Sequence, residues 1–217
     1  LFLLIDIPMI TIINKKMLRK RIYAGDYEGV VRLLEQGKDI EGFDKYGYTP
    51  LNYAVDCDNI KIVQLLLKKG VNVNTASYSS CTSLHVATIT SDIKMLKLLI
   101  DHGANLEARD DDGMTPLHFA ISEFNNFERI KLLLEHGANV NAKDKDDMTP
   151  LHLAVLDSYT SREVLHLLLD YGANVYSKDL KGKTPMDVCR YGDTREILSA
   201  HARRMTLTEH LCALLAQ

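Results

Sequence analysis

Tryptophan is absent from this chain, and phenylalanine supplies only five of its 217 residues. Thirty-two leucines make the apolar content aliphatic instead, a mixture that suits packed helices better than a β-sandwich, where aromatic and β-branched residues lead. Five prolines and twelve glycines are too few for a collagen-like or low-complexity chain, and 46% hydrophobic with 25% charged residues is a globular composition. A mostly helical protein is expected.

Cysteine is scarce too. Cys57, Cys81, Cys189 and Cys212 form no CxxC pair, and no Asn is followed two positions on by Ser or Thr. A secreted disulfide scaffold is therefore disfavoured, and a reducing compartment is expected: cytoplasm, nucleus or the cytosol of a host cell. There is no excess of positive charge, the formal net charge being −3, which removes the general argument for nucleic acid. The apolar stretch Leu1–Ile13, broken by Asp6, Pro8 and Thr11, is shorter than the roughly 18 residues that argue for a membrane span. Lys15, Lys16, Arg19, Lys20 and Arg21 follow it, the reverse of a signal peptide. Packing over the start of the fold is expected of this extension, with a membrane involved only if an anchor lies upstream.

What the chain does have is a repeat. Thr49-Pro-Leu-Asn-Tyr-Ala54, Thr82-Ser-Leu-His-Val-Ala87, Thr115-Pro-Leu-His-Phe-Ala120, Thr149-Pro-Leu-His-Leu-Ala154 and Thr184-Pro-Met-Asp-Val-Cys189 begin 33, 33, 34 and 35 residues apart. Gly37, Gly70, Gly103, Gly137 and Gly172 keep step, each a few residues after a Leu-Leu or Leu-Ile pair. The Thr can N-cap a helix, and the Pro suits its first position, where a missing N–H costs nothing. A second apolar stripe follows, such as Ile130, Leu133 and Leu134 or Val164, Leu167 and Leu168, ending at a Gly suited to a left-handed position. Polar runs such as Arg109-Asp-Asp-Asp-Gly113 then carry turn chemistry. One such unit cannot bury its apolar face alone, so copies must stack.

The strings resemble the T-P-L-H-x-A signature of the ankyrin-repeat family, which the copies at Thr115 and Thr149 match in full. The resemblance implies an all-α repeat solenoid of helix-turn-helix units joined by β-hairpin loops. Four full repeats are expected at 44–76, 77–109, 110–143 and 144–178, between an N-terminal capping repeat at 17–43 and a degenerate C-terminal repeat at 179–204. Residues 1–16 form the apolar and basic extension, and 205–217 a C-terminal helix with Leu207, Leu211, Leu214 and Leu215 on one face. From each Thr to its Gly the chain grows from 21 to 22 and 23 residues in the third and fourth complete copies. The inter-helix turns near Asn125-Asn126 and Ser158-Tyr159 should therefore bulge.

Chemistry is harder to find. His85, His118 and His152 share the fourth position of the string, where periodicity alone marks them as structural, and Asn52 and Asp187 replace them in two copies. His102 and His136 precede a terminal Gly, where imidazole favours the negative end of the helix dipole. No paired Cys/His spacing, calcium loop, phosphate loop or nucleophile motif occurs, so no metal, cofactor or catalytic residue is expected and the chain is read as no enzyme.

The family resemblance implies protein binding through the turn tips and the exposed side of the first helices. Carried onto this chain, that surface comprises Lys45, Tyr46, Tyr48, Tyr78, Cys81, Asp111, Asp112, Met114, Lys145, Asp146, Met148 and Lys181. Residues 110–143 and 144–178 each carry a net charge of −3, so a partner with a basic segment is one expectation, and a merely solubilising Asp-rich edge is the other. The partner itself is unknown. Asn74 and Asn141 match the loop Asn hydroxylated in some ankyrin repeats, although Asn72 and Asn139 stand where an acidic residue is usual. A monomeric adaptor or scaffold is expected, or else the cytosolic segment of a larger membrane-anchored or multidomain protein, such as a host-directed effector.

Overall fold

A computed structural model describes residues 17–36, 42–44, 47–89, 92–122 and 126–215, with side chains as far as Met205. Residues 17–23 form α1. Eleven helices follow: α2 (Tyr27–Glu35), α3 (Pro50–Asp56), α4 (Ile60–Lys68), α5 (Ser83–Ile89), α6 (Ile93–Asp101), α7 (Pro116–Ser122), α8 (Phe127–Glu135), α9 (Pro150–Leu156), α10 (Arg162–Asp170), α11 (Pro185–Val188) and α12 (Gly192–Leu215). No strand occurs among the described residues. The fold falls into two compact units, one ending at Asp111 and one beginning at Asp112.

In unit 1, α3 packs on both α4 and α5, α5 on α6, and α2 on α4. In unit 2, α7 packs on α8 and α9, α9 on α10 and α11, and α10 on α8 and α12. Each unit is thus a row of short first helices backed by a row of longer second helices, the all-α repeat arrangement expected from the periodicity.

The start of each first helix is locked by the fourth residue of its Thr-initiated string. His118 and His152 accept the N–H of Thr115 and Thr149 on Nδ1, each at 3.1 Å, and the Thr hydroxyl lies 2.8 and 2.9 Å from the same atom. A ring nitrogen that accepts a backbone N–H carries no proton, so the proton sits on Nε2. That atom donates to the carbonyl of Met148 from His118 and of Lys183 from His152, 3.2 and 3.1 Å away. In unit 1 the amide of Asn52 does the same: Oδ1 accepts from Thr49, and Nδ2 donates to Ser83 Oγ at 3.2 Å. At the other end Asp187 accepts from the Thr184 N–H and hydroxyl but has no proton to pass on. Both ends of the string thus keep the cap, and only donors able to bridge appear where a bridge is made.

The second helices supply the core. α2 buries Gly29, Val30, Leu33 and Leu34; α4 buries Ile62, Val63, Leu66 and Leu67; α8 buries Arg129, Ile130, Leu133 and Leu134; and α10 buries Val164, Leu165, Leu168 and Leu169. Each fully buried aliphatic side chain contributes about 1.5–3 kcal/mol. The expected stripe Val164, Leu167 and Leu168 is corrected here, because Leu167 is only half-buried and Leu165 takes its place. The lengthened turn before α10 shifts the register: the core positions of α8 recur 35 residues on, so Leu133 corresponds to Leu168. In that turn Tyr159 is 88% exposed. The matching expectation near Asn125 lies outside the described residues, although Asn126 caps α8 by accepting the Arg129 N–H at 3.2 Å.

Each second helix described through its end closes on a glycine in left-handed conformation, with φ of +84°, +81°, +91° and +84° at Gly70, Gly103, Gly137 and Gly172, the geometry that satisfies the last carbonyls. His102 and His136 help by donating Nδ1–H to the carbonyls of Leu98 and Leu132, both at 2.8 Å. Residues 205–215 continue α12 rather than beginning a helix of their own, and the side chains of Leu207, Leu211, Leu214 and Leu215 lie outside the described residues.

Candidate functional site

The loops between helix pairs are hydrogen-bonded turns. Each described closure joins an N–H to the carbonyl four residues on: Asp44 to Tyr48, Ser77 to Cys81, Asp144 to Met148 and Asp179 to Lys183. Every turn holds one residue with positive φ, namely Gly47, Ser80, Gly113, Asp147 and Gly182. Neighbouring tips are strung together by backbone bonds, Asp111 N–H to Ser79 carbonyl in unit 1, and in unit 2 Lys145 to Asp112 and Leu180 to Asp146. Side chains on the tips are thereby held on a fixed edge, a requirement for a surface that binds without reordering.

In unit 1 this edge is aromatic. Tyr48 stacks on Tyr53 with ring centroids 5.4 Å apart, Tyr23 of α1 meets Tyr53 at 5.1 Å, and Phe43 meets Tyr78 at 6.0 Å. Tyr53 is buried, whereas Tyr23, Phe43, Tyr48 and Tyr78 are exposed, Tyr78 by 67%. A Cβ on Gly47 would collide with the Tyr78 ring, so glycine is required there both for its φ of +78° and for the close approach of the ring. Beneath the rings Tyr53 donates its hydroxyl hydrogen to Asp44. Arg19 pairs with the same carboxylate at 3.0 Å, and its guanidinium lies 5.7 Å from the Tyr53 centroid. Burial and the Asp44 carboxylate push the Tyr53 phenol up to about 12. The cluster ties α1 to the turn 25 residues later, and its polar groups satisfy one another, leaving the exposed ring faces as the available chemistry.

In unit 2 the edge is acidic and thioether-bearing. Asp112, Lys145, Asp146 and Lys181 are exposed at the tips, with Met114 and Met148 half-buried behind them. Asp144 is spent on its own turn, accepting the N–H groups of Asp146 and Met148. In unit 1 Asp111 is exposed and accepts the Ser80 hydroxyl at 2.7 Å, while Cys81 is half-buried. Lys45 and Tyr46 lie outside the described residues. Sequence reasoning singled out Tyr48 and Tyr78 but missed Arg19, Tyr23, Phe43, Asp44 and Tyr53. The available signal was Tyr53 itself, a hydroxyl at a string position where the other copies hold Val86, Phe119, Leu153 and Val188.

Asn74 and Asn141 bridge successive loops. Asn74 donates Nδ2–H to the Gly103 carbonyl at 3.1 Å and accepts the Asn105 N–H at 2.7 Å; Asn141 does likewise with Gly172 and Asn174, at 3.0 and 2.8 Å. Asn72 and Asn139 fold each turn by accepting the N–H two residues on, a role an acidic side chain fills equally well.

Models of ankyrin repeats match residues 14–77 and 75–144, described as three copies, and 133–189, described as many copies. The chain belongs to the ankyrin-repeat family. Similar proteins include the elephant (Loxodonta africana) ankyrin repeat, SAM and basic leucine zipper domain-containing protein 1, 34% identical over 67 residues, or 31% of this chain and 14% of that protein. The protein of the same name from Mustela putorius furo is 33% identical over the same shares. An ankyrin repeat protein of fowlpox virus (strain NVSL) is 54% identical over 43 residues, 19% of this chain and 8% of the viral protein. The chain thus matches only about a seventh or less of the length of these relatives. Ankyrin repeats are in general non-catalytic modules that bind other proteins. No described helix of this ankyrin chain is long and apolar enough to cross a membrane, and among the described residues no group of three His, Cys, Asp or Glu could hold a metal ion.

Proposed function

We propose that this ankyrin chain is a non-catalytic binding module that grips a partner protein with its turn tips and the exposed side of its first helices. The observation that carries the reading is the aromatic edge of unit 1. Tyr48 and Tyr78 expose rigid rings already fixed by Tyr53, Phe43 and Gly47, so little side-chain entropy remains to be lost on binding. Tyr is also a residue type enriched among binding hot spots. In unit 2, Asp112, Asp146, Met114 and Met148 offer adaptable apolar contact beside negative charge, which suits a partner with a basic segment. Asp111 adds a carboxylate to the edge of unit 1, and Cys81, Lys145 and Lys181 complete the surface. A pull-down with mass spectrometry, comparing the chain with a folded Tyr48→Ala/Tyr78→Ala variant, tests the reading. A protein retained only by the unsubstituted chain supports it; a retained set unchanged by the variant sinks it.

The repeat division at 17–43, 44–76, 77–109, 110–143, 144–178 and 179–204, a monomeric state and a cytoplasmic or nuclear site belong to the same proposal. So does hydroxylation of Asn74 and Asn141, which an enzyme reaches only after opening the amide bridges to the next loop. Mass spectrometry of protein from its native host reads it as one added oxygen on the corresponding peptides. A second reading, that the chain is the ankyrin segment of a larger adaptor or effector, is favoured by the small share of its relatives that it matches. A full-length transcript distinguishes it from the first.

A further inference from the structure

The outward side of the second helices carries chemistry of its own, and α4 departs from its counterparts. A groove of about 240 Å³ lies between α2 and α4, lined by Tyr27 from α2 and by Lys61, Gln64, Leu65 and Lys68 from α4. Its charge has one sign. Both lysines are exposed, and among the described residues neither forms an ion pair. Tyr27, 38% exposed, and half-buried Leu65 supply an apolar surface alongside them.

Where α4 ends in Lys68, the other second helices place Glu35, Asp101, Glu135 and Asp170. At its second position α4 has Lys61 where α2, α8 and α10 have Glu28, Glu128 and Glu163. α6 shares a lysine there, Lys94, but ends in Asp101, so α4 is the described second helix with lysine at both positions. The helix dipole accounts for a cation in the last turn. It does not account for Lys61, which stands in a first turn that has no acidic residue and where a positive charge is disfavoured. The two lysines are seven residues apart, which sets them about 10 Å apart along the helix axis.

We propose that this groove docks an acidic amphipathic helix of a protein partner. Two carboxylates seven residues apart on that helix pair with Lys61 and Lys68, because a helix lying along α4 shares its rise per residue and reproduces the spacing. Apolar side chains three and four residues after the first carboxylate fall on the same face and meet Leu65 and Tyr27, the helix-in-groove mode of recognition. Gln64 adds an amide between the two ion pairs. This surface uses none of the residues of the turn-tip edge, so its failure and the failure of the function proposed above are separate outcomes.

Fluorescence anisotropy tests it, using the whole chain and a labelled alanine-rich helical peptide with Glu at two positions seven apart and Leu three and four residues after the first. Saturable binding that weakens with salt is expected. Lys61→Glu with Lys68→Glu should weaken it at least tenfold and instead bind the same peptide with Lys in place of Glu, while Tyr48→Ala with Tyr78→Ala leaves the affinity within twofold. If the reversed pair lowers the melting temperature, Lys61→Gln with Lys68→Gln replaces it, with a loss of at least threefold expected. No saturable binding of the Glu peptide, equal binding of the Glu and Lys peptides, or an affinity unmoved by these variants overturns the proposal. So does binding of a single-stranded oligonucleotide or of anionic vesicles through the two lysines while the Glu peptide stays silent, which would point to phosphate chemistry.

Discussion

Unit 1 and unit 2 use the same helix pair and the same turn, yet they differ at both ends of the pair. At the first-helix start unit 1 uses two residue types, Asn52 bridging to Ser83 from α3 and His85 accepting the Thr82 N–H at 3.1 Å in α5, whereas unit 2 uses His118 and His152, which bridge to backbone carbonyls, and Asp187. At the turn, unit 1 presents tyrosines locked over an Arg19–Asp44 pair, and unit 2 presents Asp, Lys and Met on a bare backbone frame. The cap tolerates Asn, His and Asp because each supplies an acceptor to the same Thr N–H, and a buried donor left without one costs about 1–3 kcal/mol. The tip tolerates almost any side chain because only its backbone is constrained. Variation therefore concentrates at the turn ends, and the two units can offer different surfaces on one scaffold.

The largest effect should come from the core that both units share. Leu133→Ala, at a site with no exposure, should cost about 2–5 kcal/mol in urea unfolding, and Leu167→Ala, half-buried, clearly less. Equal losses would contradict the register of α10. Next, His152→Ala should cost about 1–3 kcal/mol by orphaning the Thr149 N–H, whereas His152→Asn should cost much less, since Asn52 performs that role in unit 1. Burial holds the His152 imidazole below its ordinary range, so the folded state prefers it neutral. Its contribution is complete above the unfolded value of about 6.5 and is lost as the pH falls through the depressed folded value. Melting curves across that window should show the slope in the unsubstituted chain and a shallower one in His152→Asn.

A third prediction concerns unit 1 alone. With the Tyr53 phenol at about 12 against about 10 when unfolded, its stabilising contribution is full below the unfolded value and disappears as the pH rises through the folded one. Absorbance titration of tyrosinate should show a group ionising at about 12 that is absent in Tyr53→Phe. Fourth, Gly47→Ala should reduce partner binding much as Tyr78→Ala does, by displacing the ring, and circular dichroism should show both folded. The smallest effect should be Asp147→Gly. Asp147 sits at φ +59° where Gly47 and Gly113 occur in other turns, and relieving that conformation should raise stability by about 0.5–1 kcal/mol, offset slightly by loss of the half-buried Lys143–Asp147 pair.

Much of the fold was legible in the residues because each signal is local. Thr-Pro marks a helix start, a Leu pair with a following Gly marks a helix end, and the 33-residue period says that copies stack. The misplacement of Leu167 has an equally physical cause. The string period locates the first helix, but a turn of variable length intervenes before the second, and one residue of slip rotates a helix by about 100°. Of the candidate surface, Tyr48 and Tyr78 could be singled out because the turn position predicts exposure. Arg19 and Tyr23 could not, since nothing in a sequence separation of 34 residues between Arg19 and Tyr53 announces their contact.

By itself, then, the sequence determined the class of fold, the helix caps and which residues stand at the turn tips, since these follow from periodicity and from hydrogen bonds between residues three or four apart. Tertiary structure decided which aromatic rings share a cluster, that Tyr53 is buried while Tyr78 is not, and that Lys61 and Lys68 line a groove with Tyr27. Those facts depend on how α1 and α2 are laid against α3 and α4, and packing between elements distant in the chain is set by the complementary shapes of whole helix faces rather than by any residue's neighbours in sequence.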